Sequence, residues 1–113
     1  MRRAIATTLV ALAAALLVTA AVHAAEPKEI PITIENNKFS PDEIKVKAGE
    51  PFVLVVTNKD KSPEEFESKE LRIEKVVPAG KTMKIRVRAL KPGTYPFVGE
   101  YHEKTAQGRI IAE

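Results

Sequence analysis

Short runs of alternating apolar and polar residues recur along this chain, and they constrain its fold more than any other feature. The run 82–89 is the most regular, because Met83, Ile85 and Val87 are separated by charged residues. A period of two is typical of a half-buried β-strand. Turn-forming residues separate the runs at intervals of about eight to twelve residues. No mature segment has helical periodicity, so we predict an all-β chain of about seven strands, a sandwich or barrel.

Individual runs predict their positions in the sheets. Residues 52–56 are continuously apolar, which predicts a central strand buried on both faces. Pro31 lacks a backbone N–H, which favours an edge position for the run 29–35. Residues 71–77 are expected to form a strand. Residues 64–70 contain a single apolar residue, and although a short helical turn is compatible with them, we interpret them as irregular loop.

The N-terminus has the pattern of a secretory signal peptide. Arg2 and Arg3 precede an apolar run from Ala4 to Val22, and a small-residue cleavage pattern ends at Ala24. An uncleaved membrane anchor is the alternative, because the run is nearly long enough to span a bilayer. No stop-transfer pattern follows the run, which favours cleavage. We therefore predict a signal peptide over 1–24, one domain over 25–113 and a periplasmic location.

Composition narrows the classes of function. Loss of Arg2 and Arg3 leaves 16 of the 18 basic residues against 15 acidic ones, and no basic block with aromatics occurs, so nucleic acid is not an expected partner. The chain has no cysteine, so an exported domain of this size depends on a packed core rather than on disulfides. It also lacks a phosphate-binding loop and any hydrolase or transferase motif, and enzymatic activity is left undecided.

Two acidic groups are candidates for metal binding. The segment 93–113 reads as strand, loop and strand, and its loop carries Glu100, His102 and Glu103. His102 is the sole histidine after processing, and an imidazole beside carboxylates at the end of a sheet suits a metal ion. The second group contains Glu64, Glu65 and Glu67. The alternatives are a solvated charged loop and an exposed loop histidine; Met83 is expected to fill the core rather than to bind metal.

Nearly all of the predicted domain resembles a cupredoxin. The N-terminal half of the resemblance is the segment 39–49 followed by an apolar strand that ends at Asn58. The C-terminal half comprises 78–80 with the strand after it, 92–95 and the closing segment 102–108. The resemblance implies a Greek-key β-sandwich.

The resemblance also implies where a metal would lie. Cupredoxins hold copper with a histidine after the central strand and with a cysteine, a histidine and a methionine on the last loop. In this chain the corresponding positions are Glu64, Gly99, His102 and Ala106, so only one ligand is retained. Without a thiolate, a blue-copper site is excluded. The glutamates lie where the family gathers its ligands, which favours a rebuilt, oxygen-rich site over a solvated charge run.

The segments 63–66 and 99–102 are similar to periplasmic cupredoxin-like proteins that accompany bacterial ferrous-iron permeases. This resemblance implies binding of iron or copper, assistance to ferrous-iron uptake or oxidation, and a permease or its periplasmic subunits as partner. His102 would supply the imidazole, Glu64, Glu65 or Glu67 a carboxylate, and Glu100 or Glu103 would complete the shell. Such donors suit Fe, Mn or Cu(II) better than Cu(I). A metal-free interaction module is the alternative.

Overall fold

Nine short strands and one 3-10 turn make up the regular structure of the described residues. The computed structural model describes residues 4–6, 11–17 and 26–113. The strands are β1 (Lys28–Glu35), β2 (Lys38–Ser40), β3 (Glu43–Val46), β4 (Phe52–Asn58), β5 (Glu64–Ser68), β6 (Ile73–Val77), β7 (Thr82–Val87), β8 (Gly93–Gly99) and β9 (Gln107–Ala112). The 3-10 turn, Glu100–His102, lies between β8 and β9.

The strands form two sheets that face each other. One sheet has the order β2-β1-β4-β7 and the other β3-β9-β8-β5-β6. The parallel pairs β1/β4 and β3/β9 require connections that cross between the sheets, while the remaining pairs are antiparallel. The predicted Greek-key β-sandwich is therefore confirmed. Two strands were not expected: β2, which has three residues, and β5, which has five.

The core lies between the sheets and uses one face of each strand. In β4, Leu54 and Val56 are fully buried, whereas Val53 and Val55 are half-buried. The central position of β4 is confirmed, but the prediction that both of its faces are buried is wrong, because a two-layer sandwich covers only the inner face of each sheet. β1 pairs with β2 only beyond residue 32, so Pro31 lies where β1 has a partner on one side only, as expected.

The segment 64–70 is not the predicted irregular loop, since its first five residues form β5. This strand pairs with β6 on one side and with β8 on the other. Phe66, its only apolar residue, points into the core with no exposed surface. Glu64 and Ser68 share that buried face, and both are hydrogen-bonded. Pairing with two neighbouring strands, which no local pattern reveals, overrides the polar composition.

The predicted signal peptide, 1–24, lies largely outside the described residues, and its cleavage stays a prediction. Among the described residues we find no helix long and apolar enough to cross a membrane.

Candidate functional site

Glu64 and His102 meet at one end of the sandwich. Glu64 is the first residue of β5, and His102 closes the 3-10 turn after β8. Oε2 of Glu64 lies 2.5 Å from Nδ1 of His102. The Glu64 side chain is 2% exposed and the His102 side chain 29% exposed, so the carboxylate is interior and the ring reaches the surface. Two residues 38 positions apart therefore form one partly buried carboxylate–imidazole pair.

The hydrogen bonds of Glu64 define the orientation of the imidazole. Oε1 accepts the backbone N–H groups of Glu65 and Tyr101, each at 3.0 Å. In the tautomer that carries its proton on Nδ1, His102 donates that N–H to Oε2 of Glu64. The ring nitrogen left with a lone pair is then Nε2. No buried side-chain nitrogen or oxygen among the described residues lacks a hydrogen-bond partner, and Nε2 is not in a hydrogen bond there, so Nε2 contacts solvent.

The loop that carries His102 is closed by its own backbone. Gly99 N–H donates to the Ala106 carbonyl at 2.9 Å, and Ala106 N–H donates to the His102 carbonyl at 2.8 Å. These bonds close the loop on itself, and the contacts of Tyr101 and His102 with Glu64 join the turn to β5. The sequence prediction of strand, loop and strand for this segment is confirmed.

The Glu64 carboxyl group fills the space that a side chain at position 99 would need. A Cβ built on Gly99 would lie 2.7 Å from Glu64 Cδ, 2.8 Å from its Oε1 and 2.6 Å from the Ala106 Cβ. Such distances are shorter than van der Waals contact. Gly99 and Ala106 are the positions where the resemblance places a cysteine and a methionine. A thiolate copper site therefore does not fit: its cysteine is absent, and a carboxylate occupies the space.

Three phenylalanine rings lie on the core side of the pair. Phe66 is two residues after Glu64 on the same face of β5, and Phe97 is two residues before Gly99 on β8. The Phe66 and Phe97 rings stack with centroids 4.9 Å apart, and Phe39 packs edge-on against both. This apolar floor keeps water from the inner side of Glu64, which strengthens its hydrogen bonds.

Glu65, Glu67 and Glu100 cluster on the opposite side of β5. Side chains alternate along a strand, so Glu65 and Glu67 face away from Glu64. A hydrogen bond and charge repulsion from Glu65 raise the pKa of Glu100 above its usual 4.5. The pKa of Glu67 is also raised, mainly by partial loss of hydration and to a smaller extent by repulsion from Glu100 and Glu74. Tyr101 lies beside this cluster, and reduced hydration together with Glu65 raises its pKa above 10.0.

The structure thus divides the six predicted metal ligands. His102 and Glu64 form the interior pair, Glu65, Glu67 and Glu100 form the outer cluster, and Glu103 is exposed at the end of the 3-10 turn. In the described part of the chain, no three His, Cys, Asp or Glu side chains converge in an arrangement able to hold a metal ion. The assignment of these six residues as ligands stays a prediction.

Sequence reasoning did not identify the backbone donors of the site. The N–H groups of Glu65 and Tyr101 hold the Glu64 carboxylate, and backbone groups carry no residue-specific signal. One signal for the burial of Glu64 was available, since Glu64, Phe66 and Ser68 alternate with Glu65 and Glu67.

The comparisons with known proteins agree with the fold. The family described as "Cupredoxin-like domain" matches residues 8–112. An uncharacterized protein of Rickettsia prowazekii is 41% identical over 83 residues, which cover 74% of this chain and 66% of that protein. This chain therefore spans just under two thirds of that relative's length.

Solved structures define the class of fold. Auracyanin A, a "blue" copper protein of Chloroflexus aurantiacus, superposes with a TM-score of 0.66 at 15% identity, covering 77% of this chain and 99% of its own. The metal-binding domain of the Cu(I)-exporting P-type ATPase CopA of Streptococcus pneumoniae, solved with Cu(I), superposes with a TM-score of 0.64 at 18% identity, covering 75% and 84%. The fold is a cupredoxin-type sandwich. The chain belongs to the cupredoxin-like domain family.

Proposed function

We propose that this protein is a periplasmic metal-binding protein that takes up an iron or copper ion at the Glu64–His102 end of the sandwich. The observation that carries the proposal is the buried Glu64 carboxylate bonded to Nδ1 of the one histidine of the domain, 2.5 Å away. A carboxylate that fixes the tautomer and orientation of a histidine through its second ring nitrogen is a recurring support of metal-binding imidazoles. Solved structures of similar fold include a "blue" copper protein and a metal-binding domain with Cu(I).

His102 supplies the nitrogen donor in this proposal. Glu64 holds Nδ1–H, so the lone pair of Nε2 faces solvent and is free to bind a cation. Glu100 and Glu103 flank His102 on the same loop and are the nearest carboxylates in sequence for completing the shell. The outer carboxylates Glu65 and Glu67 add negative potential beside the loop, which raises the local concentration of cations. Imidazole and carboxylate donors without thiolate suit Cu(II) or iron.

The wider role proposed is assistance to ferrous-iron uptake or oxidation, with an inner-membrane iron permease or its periplasmic subunits as partner. Its support is the resemblance of the segments 63–66 and 99–102 to permease-associated proteins. A bound metal ion would supply Lewis-acid or redox chemistry. The protein's own residues orient the imidazole, exclude water from beneath it and place negative charge near it, and negative charge favours the higher oxidation state of iron.

A metal-free interaction module is the second candidate. Both Glu64 oxygens are already occupied by N–H donors, and the pair joins β5 to the β8–β9 loop without an ion.

Titration of the purified protein with Cu(II), and with Fe²⁺ under anaerobic conditions, separates the candidates. His102→Ala removes the nitrogen donor and is expected to abolish the site. Glu64→Gln keeps the size of the side chain but removes its charge, so binding should weaken. The two effects should be non-additive, because they act on one imidazole. Glu35→Gln, on the exposed end of β1, is the matched control and should bind as the wild type does.

Acidification gives an independent measure of the same site. Protons compete with the metal for the imidazole, so affinity in the wild type should fall as the solution is acidified. The metal site would be rejected if His102→Ala bound the metal as tightly as the wild type does and with the same dependence on pH. The interaction module would then remain.

A further inference from the structure

A groove runs between the two sheets where each of them ends. β7 is the terminal strand of one sheet and β6 the terminal strand of the other. Both border one open cavity of about 930 Å³, formed by residues 67–75 without Glu70 on one side and 84–88 on the other. The groove is built from different residues than the Glu64–His102 pair. Its lining includes Glu67 of the outer cluster but neither Glu64 nor His102.

The groove concentrates the positive charge of the domain. Its lining includes six cationic side chains and two carboxylates, whereas residues 26–113 as a whole carry 16 basic and 15 acidic residues. The six are Lys69, Arg72, Lys75, Lys84, Arg86 and Arg88. Lys84 pairs with Glu29 at 2.8 Å, and Arg88 donates to backbone carbonyl groups. Arg72, Lys75 and Arg86 form no ion pair within the described part of the chain, so they are available to an anion.

The edge of β7 is open to a further strand. β7 pairs only with β4, and along its other side the described residues make no backbone hydrogen bond. Within the described part of the chain, every second N–H and C=O group of β7 therefore points outward without a backbone partner. Such an edge is a template for an extended segment, which would gain main-chain hydrogen bonds.

The side chains of β7 define what such a segment should contain. Ile85 and Val87 face the core, while Lys84 and Arg86 are exposed on the outer face. A strand added beside β7 would alternate in the same way, so its inner residues would meet apolar groups and its outer residues would lie opposite cations. Opposite charges on directly paired residues stabilise a sheet, and like charges destabilise it. The matching sequence alternates acidic and apolar residues.

Arg72 provides a second, independent observation. It has a φ of 56°, in the left-handed region that glycine adopts without strain, and it lies in the turn between β5 and β6 at the groove. A branched or long side chain in this conformation destabilises the fold, and such positions are often functional. Glycine would adopt this conformation without strain, whereas arginine adopts it at a cost in stability and lines the groove.

We propose that this groove binds an extended segment of a partner protein with alternating acidic and apolar residues, which adds as a strand beside β7 and places carboxylates against Arg72 and Arg86. Arginine suits this contact because its planar guanidinium group binds a carboxylate with two parallel hydrogen bonds.

The test uses a fluorescent peptide of about seven residues that alternates glutamate and valine, a length typical of a strand. Two matched peptides carry lysine in place of glutamate, or N-methyl groups that prevent strand pairing. Only the unmodified acidic peptide should bind, and its affinity should fall with added salt. Amide signals of residues 82–87 should shift in NMR spectra, with those around His102 unchanged.

Variants separate recognition from folding. Arg86→Gln should weaken binding by about three- to five-fold, as expected for one exposed charge pair. Arg72→Gly should weaken binding while raising the thermal midpoint, which a purely structural role of Arg72 would not produce. Arg109→Gln is the matched control, because Arg109 pairs with Glu43 at the far edge of the second sheet.

Three results would overturn the proposal. They are equal binding of the acidic and lysine peptides, wild-type affinity in both Arg72→Gly and Arg86→Gln, and signal changes that map away from β7. Absence of any binding would also overturn it, and the cations would then serve only to prevent edge-to-edge pairing.

Discussion

Gly99→Ala should be among the most damaging single-methyl additions in this protein. The new Cβ would lie 2.7 Å from Glu64 Cδ and 2.6 Å from Ala106 Cβ. Overpacking of a filled interior costs about 1–3 kcal/mol. Glu64 can relieve the clash only by leaving its place, and each buried polar group left without a partner costs about 1–3 kcal/mol more. We expect the free energy of unfolding to fall by about 2–5 kcal/mol.

Urea denaturation measures this loss directly, provided that the slope with denaturant is unchanged. A double-mutant cycle with Glu64→Ala tests the cause. Two of the three atoms nearest to the new Cβ belong to Glu64, so the two substitutions should be coupled by about 1–2 kcal/mol. Gly80→Ala is the control: it meets no atom within 4 Å, and its φ of 70° costs about 1 kcal/mol without coupling to Glu64.

Two results would show that Glu64 does not fill the space beside Gly99. Gly99→Ala with a stability within about 0.5 kcal/mol of wild type would show that the carboxylate does not fill the space at position 99. An additive cycle would show that Glu64 is not what the methyl group displaces.

The fold, the acidic cluster and the N-terminus can each be tested by one measurement. Leu54→Ala should cost about 2–4 kcal/mol and Val55→Ala less, because Leu54 is fully buried and Val55 half-buried; rapid hydrogen exchange through β4 would contradict its central place. The pKa values of Glu67 and Glu100 are raised in the folded state, so these two groups stabilise the fold fully below pH 4.5, and that stabilisation is lost as the pH rises through their folded-state pKa values. Glu100→Gln should flatten this fall in the free energy of unfolding, measured by denaturation at several pH values. An unchanged fall would refute the repulsion. Intact-mass measurement of periplasmic protein should find a chain that begins at Ala25, whereas a full-length membrane-bound species would support an anchor.

Local pattern was sufficient for most of the sandwich. The alternation in 82–89 and the apolar run 52–56 predicted β7 and β4, because a strand with one buried face needs an apolar residue at every second position. The loop that carries His102 was predicted as well, since glycine and polar residues interrupt the pattern there. The position of Pro31 followed from its missing N–H group.

Only the tertiary structure decided the arrangement of the acidic residues. Glu64 and Glu65 are neighbours of identical chemistry, yet one is buried against His102 and the other belongs to the outer cluster. Tyr101 and His102, which bond to Glu64, lie 37 and 38 positions away from it in sequence. Strand order likewise depends on long-range pairing, and it alone brings β6 and β7 to the same groove. Burial of a polar residue and the neighbours of an edge strand are properties of the assembled sheets, so a pattern read along the chain does not contain them.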